Sequence, residues 1–440
     1  MSEKKSYIGT PFYRLFKRYV RFVNDRILFR HIYYIDKENL PELGKPCMIV
    51  SNHQNGANDP ILFLLGLENE THPYVLARGD VFEVNSVLSK IFYWIGMIPV
   101  YRLAYEGEES LKKNEDTMRF AGDEMLKGNR LILFPEADHQ NKRWLDTFRY
   151  GYTRLAFEAA ERDNFEHDII ILPCAHHYSS YFGLKDDVMI RYGKPVSIQP
   201  YYELYKQKPR TAQREVNKIV RQQVDDMMLD IRDLEHYNEI DWLRESEYGV
   251  EYCKKQGLNP NYLPDKLKSD KLLVEELQSV DWGKIDEVIE EEKKLGLTEK
   301  DIMNRKGWGI TILSMLAQLL LLPLWVVSLY PNAIHYFVPQ RFKPNNDPMF
   351  ENSMTLIVPV LMGIPFFFLL TVLVCGLAWG LWWQSILWMI LALYPGSLFA
   401  WYVGKWMQST LHNLKMLLMP KKMKQLLKQR SELYNNINSK

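Results

Sequence analysis

The run Ser51-Asn52-His53-Gln54-Asn55-Gly56-Ala57-Asn58-Asp59-Pro60 follows an apolar, strand-like stretch and precedes an apolar helix-like one, Ile61 to Leu67. A histidine at a strand end, with a carboxylate one short loop later, is what activation of a hydroxyl needs. The imidazole removes the proton, while the carboxylate fixes its tautomer and stabilises the imidazolium that forms. His53 and Asp59 are therefore the candidate catalytic pair. The same residues admit a plainer account, in which Asp59 caps a helix and Pro60 takes its first position. That account leaves His53 without a task.

Three further segments carry chemistry of the same kind. Gly96-Met97-Ile98-Pro99-Val100-Tyr101-Arg102 sets an arginine after a short apolar strand, where it either holds a phosphate by paired hydrogen bonds or pairs with a surface acid. Leu131 to Phe134 delivers Pro135-Glu136-Ala137 at another strand end. Glu136 there contacts an acceptor hydroxyl, pairs with Arg102, or faces water as a turn residue. Ile169 to Leu172, followed by Pro173, lines a groove for an acyl chain or is sheet core.

Elements able to position these residues are legible between about 45 and 200. Apolar runs at Cys47 to Val50, Tyr74 to Ala77, Leu131 to Phe134, Ile169 to Pro173 and Val188 to Tyr192 alternate with helical stretches. That alternation predicts an α/β fold with a mostly parallel sheet, whose chemistry gathers where strands end and helices begin. Ahead of it, within 1–40, Phe12 to Leu28 reads as a basic amphipathic helix, lying on anionic lipid or packed on the domain behind it. Residues 201–306 turn charged and helical and suggest no chemistry, and 41–200 is left as the chemical domain.

The C-terminal part changes solvent. Gly309 to Tyr330 carries no charge for about 22 residues and Asn352 to Gly404 none for about 53, where one crossing of a bilayer core takes roughly 20. Two or three transmembrane helices are expected within 307–404, with a turn near Cys375 to Gly380. The tail 405–440 is rich in Lys and should stay inside, which three full crossings would forbid. Either one segment is re-entrant or interfacial, or the charge rule fails here.

Bulk properties exclude more than they assert. With 55 Lys+Arg against 54 Asp+Glu, the 440-residue chain has a formal net charge of +1, and nothing announces a nucleic-acid partner. Cys47, Cys174, Cys253 and Cys375 lie far apart and read as reduced residues rather than a disulfide or zinc framework. Arg14, Lys17, Arg18 and Arg21 interrupt the N-terminal apolar pattern, so no signal peptide is expected and the main domain is placed on the cytoplasmic side.

In this order, the four segments resemble the glycerophospholipid acyltransferase family, which includes the lysophosphatidate and glycerol-3-phosphate acyltransferases. That family shows an Asn-His block with a nearby Asp, a Gly-x-Ile-Pro-x-x-Arg block, a Phe-Pro-Glu-Gly block and a late Val-Pro-type block. Their counterparts are Asn52, His53 and Asp59; Gly96 to Arg102; Phe134, Pro135 and Glu136; and Pro173. The resemblance implies an acyltransferase-type αβ domain with His53 as general base and Asp59 as its orienting partner. It implies a substrate-binding set of Asn52, Gly96, Arg102, Pro135 and Glu136, with Arg102 on a phosphate. The donor would be an acyl-CoA or acyl-ACP thioester, attacked directly by the acceptor hydroxyl with no cofactor, metal or acyl-enzyme. The acceptor would be lysophosphatidate or glycerol 3-phosphate, met at a lipid bilayer, with the protein in the cell inner membrane.

Two departures stand out. Five residues separate His53 from Asp59 where the family usually has four, so Asn58 occupies the usual position; either a one-residue bulge lets Asp59 reach His53, or Asn58 takes its place. Ala137 replaces a glycine and is followed by Asp138 and His139. His139, His176 and His177 read as histidines outside the catalytic set, and Lys142, Arg143, Arg149 and Arg154 extend a phosphate pocket or face lipid. The competing functions are an acyltransferase for another lysolipid, such as a lyso-aminolipid, and an inactive membrane-anchored scaffold.

Overall fold

The computed structural model of the protein describes residues 10–67, 73–83, 86–101, 103–136, 142–181, 185–277, 280–329, 364–391 and 395–438. Two compact units divide the chain, one comprising Met1–Asp230 with 344–353 and the other Ile231–Lys343 with Met354–Lys440.

The first unit is built on one sheet of eight strands: β1 (Phe29–Ile35), β2 (Cys47–Ser51), β3 (Tyr74–Arg78), β4 (Met97–Val100), β5 (Arg130–Leu133), β6 (Ile170–Tyr178), β7 (Asp186–Tyr192) and β8 (Val196–Ser197). Their order is β1-β7-β6-β2-β5-β3-β4, with β8 also beside β6. Only β6 with β7 and β6 with β8 run antiparallel, so the sheet is mostly parallel as the sequence predicts.

β2 sits in the middle, buried at all five positions, because a parallel strand covered on both faces must be apolar throughout. Its side chains alternate between two cores. Met48 and Val50 join Leu131, Ala156, Ala160, Val216, Val220 and Val224 on one face, while Cys47 and Ile49 join Leu62, Phe63, Ile132, Leu172 and Ile190 on the other. The helices Gly151–Arg162 and Pro209–Met227 cover the first face and the helix Asn58–Gly66 the second. Because the 209–227 helix belongs to the sheet's core, the first unit runs on to Asp230, past the boundary at 200 that composition suggests.

Two elements differ from the reading of the sequence. The N-terminal helix is Pro11–Val23, capped by Thr10 Oγ1 accepting the Tyr13 N–H, and a wide turn at Asn24–Leu28 leads straight into β1. Residues 29–35 are thus sheet edge, a state favoured by the aromatic and β-branched run Ile32-Tyr33-Tyr34-Ile35. β6 runs on past the apolar stretch ending at Pro173, so that His176 and His177 lie inside it, both buried.

The second unit is helical. Buried Arg430, on the helix Pro420–Asn438, makes ion pairs with Glu292 and Glu299, and Glu292 also accepts from Trp242 Nε1 at 2.9 Å. The basic tail is therefore a packed helix. Among the described residues one helix, Trp308–Leu329, is long and apolar enough to cross a membrane. Its leucines are bare, with Leu313 68% and Leu320 83% exposed. The apolar helices Ile364–Trp379 and Trp382–Leu391 are shorter and are joined by a turn at Gly380, whose φ is +65°. The rest of the second charge-free run, 352–363 and 392–394, lies outside the described residues, and the further crossings expected there are not established.

The helix Ser397–Leu418 lies against Trp308–Leu329: Gln318 Nε2 donates to Thr410 Oγ1 at 2.7 Å and Trp325 Nε1 to the Ala400 carbonyl at 2.9 Å. These pairings run in opposite directions along the two helices. Beside them, the Lys306 N–H donates to Asn413 Oδ1 at 2.7 Å and His412 pairs with Asp301 at 2.8 Å.

Candidate active site

His53, Asp59 and Glu136 meet at the carboxyl ends of β2, β5 and β6, the edge at which open parallel sheets place their chemistry. Ser51 ends β2 and pairs with Cys174, so β6 continues past it and carries His176 and Tyr178 behind the following loop. Within that loop the Asn55 carbonyl accepts the N–H groups of Asn58 (2.8 Å) and Asp59 (3.2 Å), and Gly56 takes a positive φ of 26°. This tight turn absorbs the extra residue. Asp59 falls in the first turn of the helix Asn58–Gly66, where a negative charge is favoured.

From there Asp59 reaches back over the loop. Its Oδ2 lies 2.8 Å from His53 Nδ1 and accepts the N–H groups of Gln54 (2.8 Å) and Asn55 (2.9 Å), while Oδ1 accepts the Tyr178 hydroxyl at 2.5 Å. The expected pairing of His53 with Asp59 is what is seen, and Asn58 does not take the carboxylate's place. Asn58 turns its amide to Asn55 Oδ1 at 3.3 Å. Because a carboxylate only accepts, His53 carries its proton on Nδ1 and Nε2 bears the lone pair. The ring is 22% exposed and stacks on Phe134, the ring centroids 4.3 Å apart.

Burial by itself would push the Asp59 carboxyl up, but the imidazoles of His176 and His53 and the Tyr178 hydroxyl outweigh it and hold the acid well below the usual range. Burial in turn lowers His176 and favours its neutral form. The result is an imidazole backed by a fully buried carboxylate that favours its ionised form, an arrangement able to work as a general base.

Glu136 is buried too. Its Oε1 accepts the His53 N–H at 2.7 Å and its Oε2 the Asp146 N–H at 3.1 Å. It thus ties the loop after β5 to the loop after β2, and it does not face water. Burial, only partly offset by those two N–H donors, pushes its carboxyl up to about 8.

Three residues expected to bind substrate are seen in contacts that hold the main chain. Asn52 is fully buried: its Oδ1 accepts the His176 N–H at 2.7 Å and its Nδ2 donates to the His176 carbonyl at 3.1 Å, closing β2 on β6. Pro135 is buried, with its carbonyl accepting the Arg149 N–H at 2.9 Å. Gly96 turns the chain into β4 with a φ of +81°, and its carbonyl accepts the Val75 N–H at 3.0 Å. Arg143 is buried as well and donates to the carbonyls of Tyr178 (2.8 Å) and Ser179 (3.2 Å), while Arg154 pairs with Glu158. Pro173 sits in β6 opposite Val50 as sheet core.

Arg102 lies outside the described residues, as do Ala137, Asp138 and His139. The residue before Arg102 is firmly placed: Tyr101 donates its N–H to Asn114 Oδ1 at 2.8 Å and accepts Asn114 Nδ2 at 2.6 Å. What sequence reasoning missed is the support behind the pair. Tyr178 raises no flag in the sequence, since a tyrosine ending a strand is ordinary, and only the register of β6 against β2 brings it to Asp59.

A family model described as Acyltransferase matches residues 31–177, from β1 to the end of β6. This stretch is an acyltransferase domain. The match agrees with the acyl-transfer chemistry that the motifs of this stretch suggest. A search of curated proteins finds no match. Among solved structures, the chain is similar to the 1-acyl-sn-glycerophosphate (LPA) acyltransferase PlsC from Thermotoga maritima, at 16% identity and a TM-score of 0.35, over 50% of this chain and 85% of that one.

Proposed function

We propose that the protein is a membrane-bound O-acyltransferase of phospholipid synthesis, moving a fatty acyl group from acyl-CoA or acyl-ACP to the hydroxyl of lysophosphatidate or glycerol 3-phosphate. The observation that carries this reading is the His53–Asp59 contact, with Nε2 of His53 left as the basic atom. In the reaction His53 takes the acceptor's hydroxyl proton as its oxygen attacks the thioester carbonyl. The tetrahedral intermediate then collapses, the carbon–sulfur bond breaks, and the imidazolium returns the proton to the departing thiolate. Asp59 stabilises the imidazolium between these steps. Glu136 fixes His53 through the main chain, and Arg102 holds the acceptor's phosphate.

Attachment to a bilayer is supported by the bare apolar helix Trp308–Leu329 and by Ser397–Leu418 returning beside it. The contacts of Lys306 with Asn413, Asp301 with His412, and Glu292 and Glu299 with Arg430 support a reading in which both flanks of this region lie on one side. On that reading the number of crossings is even and the Lys-rich tail is kept inside. On this reading the catalytic domain faces the cytoplasm at the inner membrane.

The test is acyl transfer by membranes carrying wild type or His53→Ala, with acyl-CoA and acyl-ACP donors offered to lysophosphatidate, glycerol 3-phosphate and lyso-aminolipid acceptors. Labelling of a phosphate-bearing acceptor by wild type alone is the expected result. Labelling of only the lyso-aminolipid would replace the acceptor, and equal activity of the variant would remove His53 as base.

A further inference from the structure

His53 takes one side of the Asp59 carboxylate, and the other side is occupied as well. Its Oδ2 is occupied by His53 and two backbone N–H groups, and its Oδ1 receives the Tyr178 hydroxyl from the end of β6. Tyr178 lies one residue beyond the stretch that matches the family model. It is 1% exposed, and its own carbonyl is gripped by the buried guanidinium of Arg143. Its ring packs with those of Phe29, His176 and Tyr181. A phenol fixed this firmly, donating to the remote oxygen of the carboxylate that orients the base, is more than filler.

We infer that Tyr178 is a positioning residue of acyl transfer: its hydroxyl locks the rotamer of Asp59 and draws off part of the carboxylate's charge, and so sets both the aim and the basicity of His53. The inference rests on the proposed function. An acceptor-only oxygen buried without a donor is costly, and it would turn in search of one. Rotation of the carboxylate about its Cβ–Cγ bond would take Oδ2 away from His53. The Tyr178 hydroxyl blocks that rotation. By sharing the charge it also keeps the imidazolium from being over-stabilised, so that the proton can be passed on to the leaving group. The other titratable groups facing this cluster are Glu136 beyond His53, His176 on β6, and Tyr34 and Tyr181 around the phenol.

The test is Tyr178→Phe, which keeps the ring and removes only the donor, with Tyr181→Phe as a neighbouring phenol not bonded to Asp59. Expected for Tyr178→Phe is a fall in kcat of about tenfold or more with KM little changed, within the range that a general base contributes. The acid limb of the kcat profile should move to higher pH, since the carboxylate now bears more charge toward His53. In an Asp59→Asn background, where there is no carboxylate charge to share, Tyr178→Phe should lower kcat by clearly less. A kcat and acid limb like those of wild type, or a loss of the same size in the Asp59→Asn background, would overturn the inference while leaving His53→Ala to decide the proposed function. The pH dependence of His53 modification by diethylpyrocarbonate, read by peptide mass spectrometry, reports the same shift without any acceptor. An unshifted midpoint in Tyr178→Phe would sink the idea even if no acceptor were found.

Discussion

Asp59 Oδ2 stands 2.8 Å from Nδ1 of His53 across a loop whose own N–H groups, those of Gln54 and Asn55, close on the same oxygen. The loop is therefore organised by the same carboxylate that meets the imidazole. Loop shape and imidazole tautomer depend on one group.

Asp59→Asn separates orientation from charge. The asparagine oxygen can replace Oδ2 toward His53, Gln54 and Asn55, while its amide can meet the Tyr178 hydroxyl, so the ring keeps its tautomer. The imidazolium loses its counter-charge. Expected is a fall in kcat of roughly 10²- to 10⁴-fold with KM little altered, measured by steady-state acyl transfer. A variant with wild-type kcat would show that the carboxylate's charge is not used.

Asn52→Ala should act on stability. Both polar groups of the Asn52 side chain are spent on the backbone of His176, so removal leaves a buried N–H and a buried carbonyl without partners. The cost is about 2–6 kcal/mol, taking 1–3 for each group left unsatisfied. Thermal unfolding in detergent should shift downward while KM for the acceptor stays where it was. A large rise in KM without loss of stability would return Asn52 to the substrate.

Much of the first unit could be read from the chain because parallel strands declare themselves as short apolar runs. Five of the eight were visible that way, and Met97–Val100 was recognised as a short strand before Arg102. β1 was hidden behind a helix with which it is continuous, and β8 is only two residues long. Among the candidate site residues, the three that the structure brings together, His53, Asp59 and Glu136, were legible because such residue types are unusual at strand ends. The parts played by Asn52, Pro135 and Gly96 were not, since a hydrogen-bonding clamp and a ligand-binding amide have the same residue type. Tyr178 and His176 depend on register, which no local pattern records.

Glu136 should make stability depend on pH. Its folded value of about 8 lies above its ordinary value of 4.5, so the native state holds the proton more tightly than the unfolded chain. The stabilisation is then fully present below about 4.5 and is lost as pH rises through about 8. Urea unfolding between pH 5 and 9 should show this decline. Glu136→Gln should flatten it and lower stability at pH 5, because one of the two N–H donors of His53 and Asp146 would face an amide NH₂. A slope unchanged by the substitution would assign the pH dependence to another group.

Arg430→Met should loosen the second unit. The guanidinium is 2% exposed and sits between Glu292 and Glu299, themselves 4% and 9% exposed. Removing one partner of a buried charge cluster leaves the others unpaired, at a cost of roughly 3–5 kcal/mol, whereas replacing the whole cluster with neutral groups of similar shape is often tolerated. The single variant should therefore expose the 282–303 and 420–438 helices to protease, and Arg430→Met combined with Glu292→Gln and Glu299→Gln should recover much of the resistance. If the triple variant were cleaved as fast as the single one, packing of the long Arg430 side chain over the Trp242 and Tyr434 rings, rather than its charge, would be what holds the tail helix in place.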